Sequence, residues 1–369
     1  MEWVYDKGEE FFTELTSCIG KAQKFIDVEI YILEVDGVGS SIYEALLAAC
    51  ARGVEVRLLV DGIGSLPWIH QHFSESRPPN FFLRVFRPLP WPLSQFSVWK
   101  IIGFRHLFST FSYINRRTHK KLCIIDDKTA FLGSFNYFDL AFIWKEFGLK
   151  YQGDGLSEII ESFNYSWRHS KLYRGVEKLL SRSSKNKFLE SDQVRTNFKL
   201  KERRRNMKEF VQKIDAAKDR IWLAQAYILP PHPMYEALLH AAKRGVDVRI
   251  VTGRETDVKL IKWANILFYE EMIQAGVKIY EYLPSILHCK VSLLDNEGLV
   301  GTSNLDYRSY TRDLEIDLWI RDHEALKKTE VFLGQTYEQS QLLTKEDFKT
   351  PNIFQRLIAH FILLFKGWL

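Results

Sequence analysis

The stretch YEALLAACARGVEVR at 43–57 returns without a gap as YEALLHAAKRGVDVR at 235–249. A repeat of this length, at an offset of 192 positions in 369 residues, means that one supersecondary unit occurs twice. In the first copy the apolar period predicts a helix over 40–52, closed by Gly53, and VEVRLLVD at 54–61 reads as a strand. In the second copy a helix over 233–244 opens on Pro233, Gly245 closes it, and 246–252 reads as a strand. A helix over 9–20 and a strand over 25–33 precede the first copy, as a helix over 208–219 and a strand over 220–229 precede the second. A helix over 265–276 and a strand over 277–282 follow the second copy. This alternation predicts an α/β protein: two α/β halves with mixed sheets flanked by helices, packed about a pseudo-twofold axis.

A second duplication carries the chemistry. THKKLCIIDDKTAFLGSFN (118–136) holds His119, Lys121 and Asp126, then Gly133, Ser134 and Asn136. LHCKVSLLDNEGLVGTSN (287–304) holds His288, Lys290 and Asp295, then Gly301, Thr302 and Asn304. The apolar run after each histidine reads as a buried strand. Side chains two apart on a strand share a face, so each His points the same way as its Lys. Asp126 and Asp295 sit at an odd offset of seven from their histidines, which predicts a supporting role at the strand end or on the other face. The Gly-small-x-Asn segments are expected to turn a hydroxyl and an amide back toward the first strand. An imidazole, an ammonium, a hydroxyl and an amide on one patch suit a phosphate beside a nucleophile. Two such patches permit one histidine to attack phosphorus while the other protonates the leaving oxygen.

The paired H-x-K-x4-D motifs resemble the phospholipase D superfamily. Beyond the motifs, GEEFFTELTSCIGKAQKFI, EIYIL, ARGVEVRLLVDGIGS, AYILPP, AAKRGVDVRIV, FYEEMIQAGVKIYEYLPSILHCK and GTSNLDYRS resemble the bacterial cardiolipin synthases, in their shorter, peripheral form. The resemblance implies two phospholipase D-like domains sharing one active site at their interface. It implies transfer of a phosphatidyl group between two phosphatidylglycerols through a phosphohistidine on His119, with His288 as acid and base. Hydrolysis or headgroup exchange by a phospholipase D is the alternative reading, and a nucleic-acid phosphodiesterase a more distant one. The catalytic set is then His119, Lys121, Asp126, His288, Lys290 and Asp295. Ser134, Asn136, Thr302 and Asn304 hold phosphate or support the site. Glu146 and Glu315, ten and eleven residues after the motif asparagines, would each accept from the histidine nitrogen turned away from substrate. Two lysines and two imidazoles stand where a metal would, so no metal or cofactor is expected.

The remaining sequence bears on partners. The first half is longer by about 23 residues between its capping glycine and its histidine, within the segment 66–118. No acidic residue occurs between Glu75 and Asp126, whereas aromatic and basic residues interleave there. That composition suits an anionic lipid interface, a single-stranded nucleic acid, or an ordinary core insertion. The segment 353–365 is amphipathic at helical period and short for a membrane span, so it lies in the interface or packs on the protein. The basic run 199–208 reads as solvated surface or as a membrane-facing patch. A net charge of +5 does not demand nucleic acid, and none is expected as a partner. Four unpaired-looking cysteines suit a reducing compartment. With no signal-like start, the expected location is peripheral, on the cytoplasmic face of an anionic membrane. The expected organisation is a first domain over 1–185 with the insertion 66–118, a polar linker near 182–193, a second domain over 186–345, and a C-terminal amphipathic helix over 346–369.

Overall fold

The computed structural model describes residues 1–72, 74–88, 115–172, 191–344, 346–347, 359 and 361–363. Strands β1 (Glu2–Tyr5), β2 (Phe25–Ile30), β3 (Glu55–Asp61), β4 (Phe81–Phe86), β5 (Lys121–Ile125), β6 (Thr129–Gly133), β7 (Gly148–Tyr151) and β8 (Lys171–Leu172) form one sheet, ordered β1-β7-β6-β5-β2-β3-β4-β8. In the second half run β9 (Val194–Thr196), β10 (Arg220–Gln225), β11 (Ile228–Leu229), β12 (Asp247–Gly253), β13 (Lys278–Tyr282), β14 (Lys290–Leu294), β15 (Glu297–Gly301), β16 (Leu305–Asp306), β17 (Ile316–Ile320) and β18 (Ser340–Leu342). All but the small pair β11-β16 join a second sheet, ordered β18-β13-β12-β10-β14-β15-β17-β9. Read from opposite ends the two orders match strand for strand, with β5 standing where β14 stands. Strands β2, β3 and β4 run parallel, as do β10, β12 and β13. The motif strands add antiparallel to each set. The expected duplicated α/β fold with mixed sheets is therefore the observed one.

Alternation along the motif strands explains how the sheets stack. Leu122 and Ile124 enter a core shared between the sheets, while Cys123 and Ile125 enter the core under the helices Gly8–Lys21 and Gly37–Ala51. On β14, Val291 and Leu293 enter the shared core from the other side. The helices Leu156–Arg168 and His323–Glu338 fill that middle layer with Phe163, Phe332 and Leu333. Buried polar groups pin the halves together. Gln193, at the end of the expected linker, donates to Glu2 at 2.5 Å and to the Trp319 carbonyl at 3.0 Å. Glu2 in turn accepts from the amides of Arg321 and Asp322.

The basic run departs from expectation. The helix Leu200–Ala216 starts well before the predicted 208 and absorbs most of the run. Glu202 accepts from the Lys199 amide at 3.0 Å and starts the helix. Arg203 turns inward and donates to the carbonyls of Arg312 and Asp313, at 2.9 Å each. The run is thus part anchor and part surface. Residues 89–114 of the aromatic-basic segment and most of 346–369 lie outside the described residues. Within the latter, Ile362 is buried against Leu229. Among the described residues no helix is long and apolar enough to cross a membrane.

Candidate active site

Ile30 at the end of β2 pairs with Lys121 at the start of β5, and Gln225 at the end of β10 pairs with Lys290 at the start of β14. Both His-x-Lys pairs therefore emerge at the carboxyl ends of the parallel strands, where α/β sheets place their sites. Each histidine is then held by the opposite half. The His119 amide donates to the Leu314 carbonyl at 2.9 Å, and the Leu314 amide to the Arg117 carbonyl at 2.9 Å. The His288 amide donates to the Lys145 carbonyl at 2.9 Å, and the Lys145 amide to the Ile286 carbonyl at 2.8 Å. These paired bridges, Thr118 with Leu314 and Lys145 with Leu287, bring Glu315 to His119 and Glu146 to His288.

The ring of His119 places Nδ1 3.1 Å from the Thr302 carbonyl and 3.2 Å from the Glu315 carboxylate. A carbonyl only accepts, so Nδ1 carries the proton and Nε2 keeps the lone pair. His288 Nδ1 meets Glu146 at 2.7 Å. Lys121 donates to the His119 carbonyl at 2.8 Å, and Lys290 donates to that of His288. Each ammonium has three donors, so two remain for a ligand. All six groups are nearly enclosed, and that sets their charge. Burial, then the nearby Lys290, pushes the Lys121 ammonium down to about 7. Burial pushes Lys290 down as well. Burial and both lysines hold the two histidines below their ordinary range. Burial pushes Glu146 and Glu315 up, each to about 7. Burial and like charge thus disfavour positive charge in the site, and an anion in the cleft would favour it.

The Gly-small-x-Asn segments act behind the histidines. A Cβ on Gly133 would stand 2.4 Å from the Gly148 backbone, and one on Gly301 2.5 Å from that of Asp317, so only glycine lets these strands approach. The close approach lets Ser134 exchange hydrogen bonds with the backbone of Phe147, at 2.9 and 3.1 Å. Thr302 donates to Glu315 at 2.5 Å and accepts from the Ile316 amide at 3.0 Å. Both hydroxyls thus brace the neighbourhood of the glutamates rather than point at a ligand. Asn136 accepts from the Ile32 amide at 3.3 Å, whereas the side-chain oxygen of Asn304 is buried and unpartnered.

Asp126 and Asp295 are the correction to the expected catalytic set. They sit at the far ends of β5 and β14, in left-handed backbone with φ of 53° and 48°. Asp126 accepts from the amides of Gln23, Lys24 and Phe25, and Asp295 from those of Lys218, Asp219 and Arg220. They lock the hairpin turn to the start of the neighbouring strand and do not touch the site. Their turns differ by one residue, joining Ile125 to Thr129 but Leu294 to Glu297, which explains the unequal spacing to the glycines.

Two aromatic walls escaped the sequence reading. The Tyr31 ring meets the His119 ring edge-on at 5.0 Å and lies 5.1 Å from the Lys121 ammonium. Trp144 stands 5.4 Å from His288. The one sequence signal for Tyr31 was its place directly after β2. The Asp61–Arg117 pair and Asp313 were missed as well. Asp61 accepts from Arg117 and the Thr118 amide, and Asp313 from the Arg117 amide, which fixes the approach to His119.

Comparison with known proteins gives the family and the fold. A phospholipase D-like cardiolipin synthase domain model matches residues 15–167 and 210–336. A probable cardiolipin synthase of Bacillus subtilis is 26% identical over 99% of this chain and 71% of its own length. A cardiolipin synthase of Clostridium perfringens is 30% identical over 96% of this chain and 74% of its own. Among solved structures, phosphatidylserine synthase from Haemophilus influenzae shares the fold, with a TM-score of 0.70 at 14% identity over 100% of this chain and 95% of that one. With the domain model covering both halves, the chain belongs to the phospholipase D-like cardiolipin synthase family.

Proposed function

We propose that the protein is a phosphatidyltransferase that converts two phosphatidylglycerols into cardiolipin and glycerol. The observation that carries this reading is the crossed support of two histidines by two buried glutamates, beside two buried lysines. His119 Nε2 attacks the phosphorus of the first lipid and forms an N–P bond. The P–O bond to the terminal glycerol breaks, and His288 gives that oxygen its proton. His288 then takes the proton of a hydroxyl on the second phosphatidylglycerol, whose oxygen attacks phosphorus and frees His119. Lys121, Lys290, Asn136 and Asn304 hold the non-bridging oxygens as charge develops.

His119 as nucleophile follows the family resemblance and gains support from its surroundings. The Thr302 carbonyl fixes its Nδ1 proton whatever the state of Glu315, so Nε2 stays unprotonated. His288, facing a glutamate pushed up to about 7, is free to exchange a proton. The protein works from the surface of an anionic membrane at the cytoplasmic face, without nucleic acid as a partner. Purified protein given phosphatidylglycerol liposomes should release glycerol and cardiolipin, and His119→Ala and His288→Ala should release neither. Phosphatidic acid alone would make it a phospholipase D. Cleavage of DNA or RNA with no lipid turnover would defeat the lipid reading. Mass spectrometry of protein denatured without acid, which would cleave the N–P bond, would reverse the two roles if it found the phosphoryl adduct on His288.

A further inference from the structure

The site is duplicated, yet its two rims are not alike. Counting back from the paired glutamates, Trp144 corresponds to Asp313, Ile143 to Arg312, Phe142 to Thr311 and Leu140 to Ser309. On the His119 side this segment is polar: Arg308 donates to Asp313 at 2.9 Å, and Ser309 is buried. On the His288 side it is apolar and uncovered. Leu140 is 46%, Phe142 46% and Ile143 66% exposed, and Val35, next in the chain to the Asp36 that binds Asp139, is 37% exposed. These side chains do not sit on a loose loop. The Asp139 carboxylate accepts from the Gly37 and Val38 amides, and Asp36 accepts from the Asp139 amide at 2.7 Å. The Ile143 and Trp144 amides both donate to the Leu140 carbonyl. The fold therefore holds a rigid apolar lip outward, one residue from the Trp144 ring that walls His288.

We propose that the lip Leu140–Phe142–Ile143, with Val35, enters the interfacial zone of a phospholipid bilayer and brings the lipid phosphate to the His288 side of the cleft. This rests on the transferase reading above. A diacyl substrate keeps its chains in the bilayer while its phosphorus reaches the histidines, so the rim beside the cleft must meet the apolar phase. The local charge is acidic, with Asp36 and Asp139 committed to backbone amides and Glu34 pushed up by burial, so coulombic attraction to anionic headgroups does not draw this patch in. Contact there is apolar and little affected by salt.

The test pairs vesicle binding with turnover of a lipid that needs no bilayer. The wild type, the triple variant Leu140→Ser, Phe142→Ser, Ile143→Ser, and Ile143→Ser alone are sedimented with vesicles of phosphatidylglycerol and phosphatidylcholine at low and high salt. Val331→Ser, exposed on the helix His323–Glu338, is the control. Each is also assayed on dihexanoyl-phosphatidylglycerol below its micelle concentration. The triple variant should bind vesicles about ten-fold more weakly or worse, and Ile143→Ser a few-fold more weakly, with kcat/KM on the short-chain lipid kept within about two-fold. Because Phe142 touches Phe12 at 5.8 Å, the single Ile143 variant decides the matter if the triple variant unfolds. Wild-type vesicle binding by every lip variant, or no vesicle binding by the wild type, would overturn the lip. If the wild type turns over neither form of phosphatidylglycerol, the transferase reading fails, and the sedimentation result still judges the lip.

Discussion

The Nδ1 of His288 lies 2.7 Å from Glu146, a carboxylate carried by the other sheet. The same exchange joins His119 to Glu315 across 196 residues of chain. Neither half holds a complete His–Glu pair, so the arrangement proposed as the active site exists only when the sheets are packed. Replacing Glu146 or Glu315 with Gln should therefore lower kcat by roughly 10- to 100-fold with a smaller change in KM. Steady-state assays on short-chain phosphatidylglycerol check this, and full activity in both variants would remove the glutamates from the mechanism.

The pKa directions make a signed prediction for anion binding. Lys121 lies at about 7, and a bound phosphodiester would raise it, the histidines and the glutamates alike. Every shift is upward, so binding takes up protons near neutrality. Affinity for dimethyl phosphate should fall as pH rises through 7. Calorimetry in buffers of different ionisation enthalpy should register the uptake, and proton release would contradict the assignment.

Lys121 and Lys290 are buried like charges that burial and mutual repulsion disfavour. The sign for stability follows from Lys121, whose folded pKa lies below its unfolded one. Its contribution is complete above the unfolded value and is lost as pH falls through about 7. Lys121→Met should therefore raise Tm in the unliganded protein at pH 6, while lowering kcat by about 10²- to 10³-fold. A lower Tm at pH 6 would mean that the ammonium is stabilised in the fold.

Asp126 and Asp295 should behave as fold residues. Asp126→Ala strips three backbone amides of their acceptor, so it should cost about 1–3 kcal/mol in urea unfolding. Activity per folded molecule should stay near that of the wild type. A loss of kcat without a loss of stability would return the aspartate to the chemistry.

Local pattern made much of the protein legible. The ungapped repeat predicted two α/β halves, and strand alternation put His119 with Lys121 and His288 with Lys290, because these depend on residues two to fifteen apart. Asp126 illustrates the limit: its odd offset announced a different place, but not the three amides at the entry to a strand about a hundred residues earlier. Ser134 and Thr302 looked like ligands of phosphate, since nothing local reveals that Gly133 and Gly301 press them against the next strand. The early start of the helix Leu200–Ala216 was hidden because Arg203 finds its partners near Asp313.

By itself, then, the sequence determined the duplicated strand–helix units and the paired His-x-Lys motifs proposed to attack and hold a phosphate, since chain periodicity and side-chain chemistry are local. Only the tertiary structure decided that each histidine is served by the glutamate of the other half, and that Tyr31 and Trp144 wall the cleft. It also decided that one rim is apolar and the other charged. The physical reason is that these contacts span from 88 residues, Tyr31 to His119, up to 196, His119 to Glu315, and arise from packing two sheets on one shared core, to which no stretch of chain alone commits.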